Sequence, residues 1–269
     1  MKSPSENGRP PVSRRDFVKT ASLAATAVAS CIGLAAAKGR TDAIDDTLVC
    51  SPIPAGGAGV VERGGRLQGE GPLSAIDAHV CGLHFYSGDL KRQVIAHHYC
   101  SHVSRDLRQC SIYDSDKKHA RLVGIEYVIS PRLFETLPAE ERKFWHSHVY
   151  EVKSGQLTAP GIPDAAEMEV MKGFVGTYGK TWYTWQVDRD DKVPLGIPQL
   201  MMAFTADGQA NPELLADRNT EYGISPEEKK TSRAAIVAPA IQPGADEWQQ
   251  GGAIELQTKT VEMKETIRG

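Results

Sequence analysis

Eight histidines occur in this 269-residue chain, and all of them lie between His79 and His148. Cys81, Cys100 and Cys110 share that stretch. Two runs stand out: His97-His98-Tyr99-Cys100-Ser101-His102 and His146-Ser147-His148. Neutral imidazole and thiolate are the usual protein donors to zinc, copper and iron. A strand over 97–103 projects His98, Cys100 and His102 to one face and His97 to the other. His146 and His148, two apart, share a face of a second strand. Two such strands side by side bring three or four donors together, as a tetrahedral zinc site requires. Were 90–102 helical instead, His98 and His102 would stand at i and i+4, also a good metal pair. Glu126 or Glu151 could add a ligand, support a ligating imidazole, or act as a general base. The candidate metal residues are therefore His97, His98, Cys100, His102, His146, His148, Glu151 and Glu126, with zinc or another transition metal as the expected cofactor. Their spacing matches no named zinc signature such as H-E-x-x-H. The competing reading keeps them as a hydrogen-bonded core without an ion.

Other chemistries find less support. Cys100 or Cys110 beside a histidine could form a thiolate pair, but no G-x-S-x-G elbow is present. Cys100 and Cys110 could pair across a hairpin in an oxidising compartment or stay free and buried, and spacing does not choose between the two. Gly155, Gly161 and Gly179 read as turn or cap glycines with no phosphate loop around them, so no nucleotide cofactor is expected. The acidic run Asp188-Arg189-Asp190-Asp191 lacks EF-hand spacing and reads as a solvated turn. The formal net charge is −3 with no basic stripe, which argues against a nucleic-acid partner.

The first residues read as an address. Ser13-Arg14-Arg15-Asp16-Phe17-Val18-Lys19 matches a twin-arginine pattern, and an apolar, small-residue run follows from Ala21 to Ala37. At about 17 residues that run is short for a permanent membrane span. Ala35-Ala36-Ala37 offers a cleavage site, and Val28-Ala29-Ser30-Cys31 offers a lipobox that would lipidate Cys31 and anchor the protein in a membrane. The apolar Ile32-Gly33-Leu34-Ala35 after that cysteine favours cleavage after Ala37. Residues 1–37 are thus read as a twin-arginine signal, with the export machinery as a partner and the periplasm or outer surface as the destination. Residues 38–72, rich in Gly, Pro and charge, read as a flexible linker. The folded domain is expected over 73–269, enough chain for one substantial core.

Within that domain Gln93–Val103 and Gln109–Tyr113 read as a hairpin, and 120–130 as a strand with Val123, Ile125, Tyr127 and Ile129 on one face. Pro131 and Pro138 open short helices, and 146–153 reads as another strand. Asp164 with Glu167 forms a capping pair for a helix whose stripe is Met168, Met171, Val175 and Tyr178, ended by Gly179. Residues 181–187 and 199–205 read as strands, Ser225 caps a further helix, and 254–263 reads as a closing strand. Strands and helices mix without strict alternation. The expectation is a single α+β domain, with a mostly antiparallel sheet and several packed helices.

Nine ordered segments then resemble one family. They are Gly82-Leu83-His84-Phe85-Tyr86, Ala96-His97-His98-Tyr99-Cys100-Ser101-His102, Arg108-Gln109-Cys110-Ser111-Ile112-Tyr113-Asp114, Phe134-Glu135-Thr136-Leu137-Pro138, Trp145-His146-Ser147-His148, Tyr150-Glu151-Val152-Lys153-Ser154-Gly155, Tyr178-Gly179-Lys180-Thr181-Trp182, Trp185-Gln186-Val187-Asp188-Arg189 and Pro198-Gln199-Leu200-Met201-Met202. Together they are similar to the oil body-associated proteins, a family also labelled a domain of unknown function, and this chain reads as an exported, bacterial member. The resemblance implies affinity for a lipid surface and supplies no catalytic residues. An exposed apolar element would have to provide that affinity; Trp182, Trp185 or the Leu195-Gly196-Ile197-Pro198 loop could serve, but they read more readily as core and turn.

Overall fold

The computed structural model describes residues 71–263. The export signal, the processing alternatives at Cys31 and Ala37, and almost all of the linker lie outside the described residues. Seven strands follow in chain order: β1 (Ile76–Tyr86), β2 (Asp89–Ser104), β3 (Leu107–Tyr113), β4 (Leu122–Ile129), β5 (His146–Ser147), β6 (Tyr178–Tyr183) and β7 (Gln199–Met202). All pair antiparallel, in the order β4-β3-β2-β1-β7-β6-β5, and β4 pairs with β6 as well. That last ladder closes six strands into a ring, β1-β2-β3-β4-β6-β7. A closed barrel leaves no open sheet edge. On the edge of β6 that faces β7, Thr181–Tyr183 pair with β7, while Tyr178 and Gly179 pair with β5.

Among the described residues six α-helices accompany the ring: α1 (Pro131–Phe134), α2 (Ala139–Arg142), α3 (Val149–Ser154), α4 (Asp164–Phe174), α5 (Pro212–Tyr222) and α6 (Pro226–Ser232). Ser130 caps α1, accepting from Leu133 N, and Ser225 caps α6, accepting from Glu228 N; each is followed by proline at the first helical position, as expected. The α+β, mostly antiparallel reading therefore holds.

Residues two apart on a strand share a face, and this sorts the barrel interior into layers. One apolar cluster draws on all six ring strands: Tyr86, Val94, Ala96, Ile112, Val123, Tyr183 and Met201. A second gathers Val80, Cys100, Cys110 and Val128 with Val152, Leu157, Met171 and Phe174, so that α3 and α4 cover that end. Between these layers, in phase along the same strands, stand His84 between Val80 and Tyr86, His98 between Ala96 and Cys100, and Glu126 before Val128. A polar layer is sandwiched between two apolar ones.

Several expectations need correction. The segment 146–153 is a strand only at His146–Ser147; His148 turns the chain (φ −83°, ψ 0°) and Val149–Ser154 is helical. Helix α4 ends at Phe174, so Tyr178 and Gly179 belong to β6 and not to a helix stripe and its cap. Glu167 turns inward to accept from Ala159 N at 2.9 Å, and Asp164 meets Lys229, so the two make no capping box. The strand expected over 181–187 runs Tyr178–Tyr183, and the one expected over 199–205 starts at Gln199 but stops at Met202. Residues 254–263 form no strand; Ile254 N donates instead to the Ser87 hydroxyl at 3.1 Å.

Candidate metal centre

Glu126 lies at the centre of the polar layer and is 2 % exposed. Its Oε2 stands 2.8 Å from His98 Nε2, and its Oε1 stands 3.2 Å from both His146 Nε2 and His148 Nε2. His84 completes the group, its ring 5.1 Å from that of His98 and 5.4 Å from that of His146. Strands β1, β2 and β4 supply His84, His98 and Glu126. The β5 turn supplies His146 and His148 from the side, and α3 supplies Glu151. Two sets of donors come within 4.8 Å of one another: His84, Glu126 and His146, and His146, His148 and Glu151.

Gly179 makes this convergence possible. It sits opposite His146 in the β5–β6 pairing and opposite Val128 in β4–β6. A methyl group there would overlap Glu126 Oε1 and come within 2.5 Å of His146 Nε2. The carboxylate and imidazole occupy the space that a side chain would take.

The proton inventory favours a cation. Burial lowers the pKa of His84 well below its usual value, and burial likewise lowers His146 despite the facing Glu126. Burial alone would raise the Glu126 carboxyl, but His98, His146 and His148 outweigh it and hold the carboxyl well below the ordinary range. Burial thus favours the neutral form of His84 and His146, which need shed no proton to bind a metal beside the ionised Glu126. Glu151 differs: burial, then Glu126 and Asp246, push its carboxyl well above normal, so it would have to lose a proton to ligate.

Hydrogen-bond direction fixes one tautomer. Thr177 Oγ1 donates to Phe174 O at 2.7 Å, so it must accept from His148 Nδ1 at 2.8 Å. His148 Nε2 faces Glu126 Oε1 at 3.2 Å. A ligating imidazole commonly has its other nitrogen held in this way. His84 Nδ1 has the Tyr183 hydroxyl at 3.1 Å. The nitrogens of His98 and His146 lie near Glu126 but off the axis of a hydrogen bond, and Glu151 Oε2 and Thr181 Oγ1 are buried without a partner. So many unmet groups in one place are costly unless something else satisfies them. The adjoining void, bounded by His84, His98, Glu126, His148 and Glu151, measures about 10 Å³, close to the least that holds one water.

The structure thus gathers His98, His146, His148, Glu126 and Glu151 from the sequence-derived set. It leaves out three others. Cys100 is disulfide-bonded to Cys110, so neither sulfur is a thiolate ligand or nucleophile in this state. His102 is exposed beside Asp77, at 3.7 Å. His97 points to the opposite side of β2, where it meets His79 at 3.2 Å and Cys81 at 3.9 Å. Sequence reasoning missed His84. Its signal was the alternation Val80-Gly82-His84-Tyr86, masked because every residue from Val80 to Tyr86 is buried and neither face reads as polar.

The family described as protein of unknown function (DUF1264) matches residues 70–237. Among the relatives, oil body-associated protein 1B of Arabidopsis thaliana is 42 % identical over 203 residues, spanning 75 % of this chain and 84 % of that protein. The chain belongs to the oil body-associated protein family. Within that family, oil body-associated protein 2C of Arabidopsis thaliana is 45 % identical over 196 residues (71 % of this chain, 83 % of the relative). Oil body-associated protein 1A of Zea mays is 41 % identical over 208 residues (77 % and 87 %). No solved structure matches the chain. No helix among the described residues of this family member is long and apolar enough to cross a membrane.

Proposed function

We propose that this oil body-associated family member binds one transition-metal ion inside its barrel, through Glu126, His146 and His84 with His148 and Glu151 in reach. The observation that carries this reading is the convergence of His84, His98, His146 and His148 on the buried Glu126 carboxylate, with the ring nitrogens of His98 and His146 left without a hydrogen-bond partner. A mixed imidazole and carboxylate set suits zinc, and suits iron, copper or manganese to differing degrees. The small void leaves room for about one water-sized ligand beside the ion. Elemental mass spectrometry on folded protein purified without chelator tests it. About one equivalent of metal, lost in a His84→Ala/His146→Ala variant that still melts cooperatively, is the expected result. Protein that is folded and metal-free when recovered from its native compartment overturns it.

A second reading, compatible with the first, is attachment to a lipid surface after export by the twin-arginine route. The relatives' names support the lipid surface, as do the outward apolar side chains of Ile125 and Tyr127 on β4 and of Val193 and Leu195 in the loop before β7; the export route rests on the Arg14-Arg15 motif alone. Trp182 and Trp185 are half-buried, and Trp185 donates to Asp191 O, so they fit this role less well. Flotation with emulsified triacylglycerol tests lipid binding, and failure of both precursor-derived and processed protein to float rejects it. Cell fractionation with Arg14→Lys/Arg15→Lys tests export; unchanged delivery to the periplasm rejects that route.

A further inference from the structure

The Cys100–Cys110 disulfide adjoins the same small void as the imidazoles. Both cysteines line it, together with His98, Glu126 and His148. Register explains why. Cys100 is opposite Cys110 across β2–β3, and Cys110 is opposite Glu126 across β3–β4. Opposed residues on one face of a sheet have Cβ atoms about 4.5–5.5 Å apart. Cys100 follows His98 by two residues on the same interior face of β2. The two sulfurs are therefore the layer next to the nitrogen and oxygen donors. Both cysteines are buried under α3 and α4, so a reductant reaches the bond only when that cover opens, while β2 and β3 stay held by register pairs from His97–Tyr113 to Ser104–Leu107.

We propose that this disulfide is a redox-controlled part of the donor set: when reduced, Cys100 and Cys110 join Glu126 and the imidazoles as ligands to a thiophilic divalent cation. The inference rests on the reading of the His/Glu cluster as a metal centre. The reductant is a dithiol. One of its sulfurs attacks the bond, a mixed disulfide forms, and its second sulfur releases the protein; two electrons pass to the cysteines and the dithiol leaves as its own disulfide. Cys100 and Cys110 end as thiols, and each gives its proton to solvent on binding the metal. Oxidised, the site offers only nitrogen and oxygen; reduced, it offers sulfur as well and favours softer ions. Cys81 is excluded from this exchange, because it lies on the other side of β1 against His97.

Cobalt(II) is the probe, added to the full chain prepared in two forms. One is oxidised; the other is produced and kept in a dithiol, with the count of free thiols higher by two. The expected result is cobalt binding by both forms, with a sulfur-to-cobalt charge-transfer band in the near ultraviolet only in the reduced form, and affinity there about tenfold tighter or more. Cys100→Ser/Cys110→Ser and Cys100→Ala/Cys110→Ala should lack the band and keep the oxidised affinity, while Cys81→Ser should keep the band. A reduced form that binds cobalt without the band overturns the proposal and leaves the metal centre standing. A band that survives the Cys100/Cys110 double variants but not Cys81→Ser also overturns it. If neither form binds cobalt, the metal centre itself fails and the inference falls with it.

Discussion

Glu151 and Asp246 are carboxyl groups that burial holds towards the neutral form beside the candidate metal centre. Asp246 sits in the left-handed region (φ 54°) and accepts from Ser147 N at 3.1 Å, which fixes the backbone between His146 and His148. Burial raises its pKa from 3.8 to about 7, against the opposing pull of that hydrogen bond. The folded state therefore binds this proton more tightly than the unfolded chain. Its contribution is full below the unfolded pKa and is lost as pH rises towards about 7; above that the charged carboxylate costs on the order of 2–4 kcal/mol. Asparagine tolerates the left-handed conformation and keeps an oxygen for Ser147 N. Asp246→Asn should therefore be more stable than the parent at pH 8, by about 2 kcal/mol, and the difference should vanish near pH 4. Urea unfolding across that range decides it; a difference independent of pH would refute the assignment.

At the scale of the element, β6 is shaped by what it must leave out. Gly179→Ala would drive a methyl group into Glu126 and His146. The variant should lose about 1–3 kcal/mol and, on the proposed function, most of its affinity for metal. Gly173, in α4, has open space where a Cβ would go. Gly173→Ala should be neutral or stabilising by up to about 1 kcal/mol, with metal content unchanged. Thermal melts with metal analysis on both variants make the comparison; equal effects would mean that the Gly179 contact is not what matters. The short β5 follows the same logic. A longer strand would carry His148 along a straight edge, whereas the turn at His148 brings both rings to Glu126 and lets α3 deliver Glu151.

For the whole molecule, the late part of the chain is fastened to the barrel by buried charge. Arg233 donates to the carbonyls of Val152 at 3.0 Å and Leu157 at 2.6 Å, and its Nη2 lies 3.1 Å from Glu167. Lys229 reaches the other oxygen of Glu167. This ties α6 and the turn after it to α3 and α4, the helices that cover the apolar layer beneath the candidate metal centre. Removing one partner of a buried ion pair leaves its other partners unmet. Arg233→Ala should cost about 3–5 kcal/mol in chemical denaturation, and Arg233→Lys should recover little, because one ammonium cannot span two carbonyls and a carboxylate. A loss below about 1 kcal/mol would show the cluster to be dispensable.

Local physics made much of this legible. Alternation marked β2, β3 and β4; serine followed by proline marked the starts of α1 and α6; the crowding of histidine between 79 and 148 marked the region of the site. Those signals act over a few residues, so composition and spacing alone carry them. The sequence by itself determined an antiparallel α+β domain, the family, and a store of imidazole and carboxylate in its first half. Tertiary structure decided which of those groups meet. Strand alternation puts His98, Cys100 and His102 on one face, but ring closure and tilt bring only His98 to Glu126, leave Cys100 opposite Cys110, and carry His102 to the surface. His84 enters because β1 is buried on both faces, and Gly179 matters because two side chains need its space. Neither fact is visible until the closure of β4 on β6 fixes every register at once.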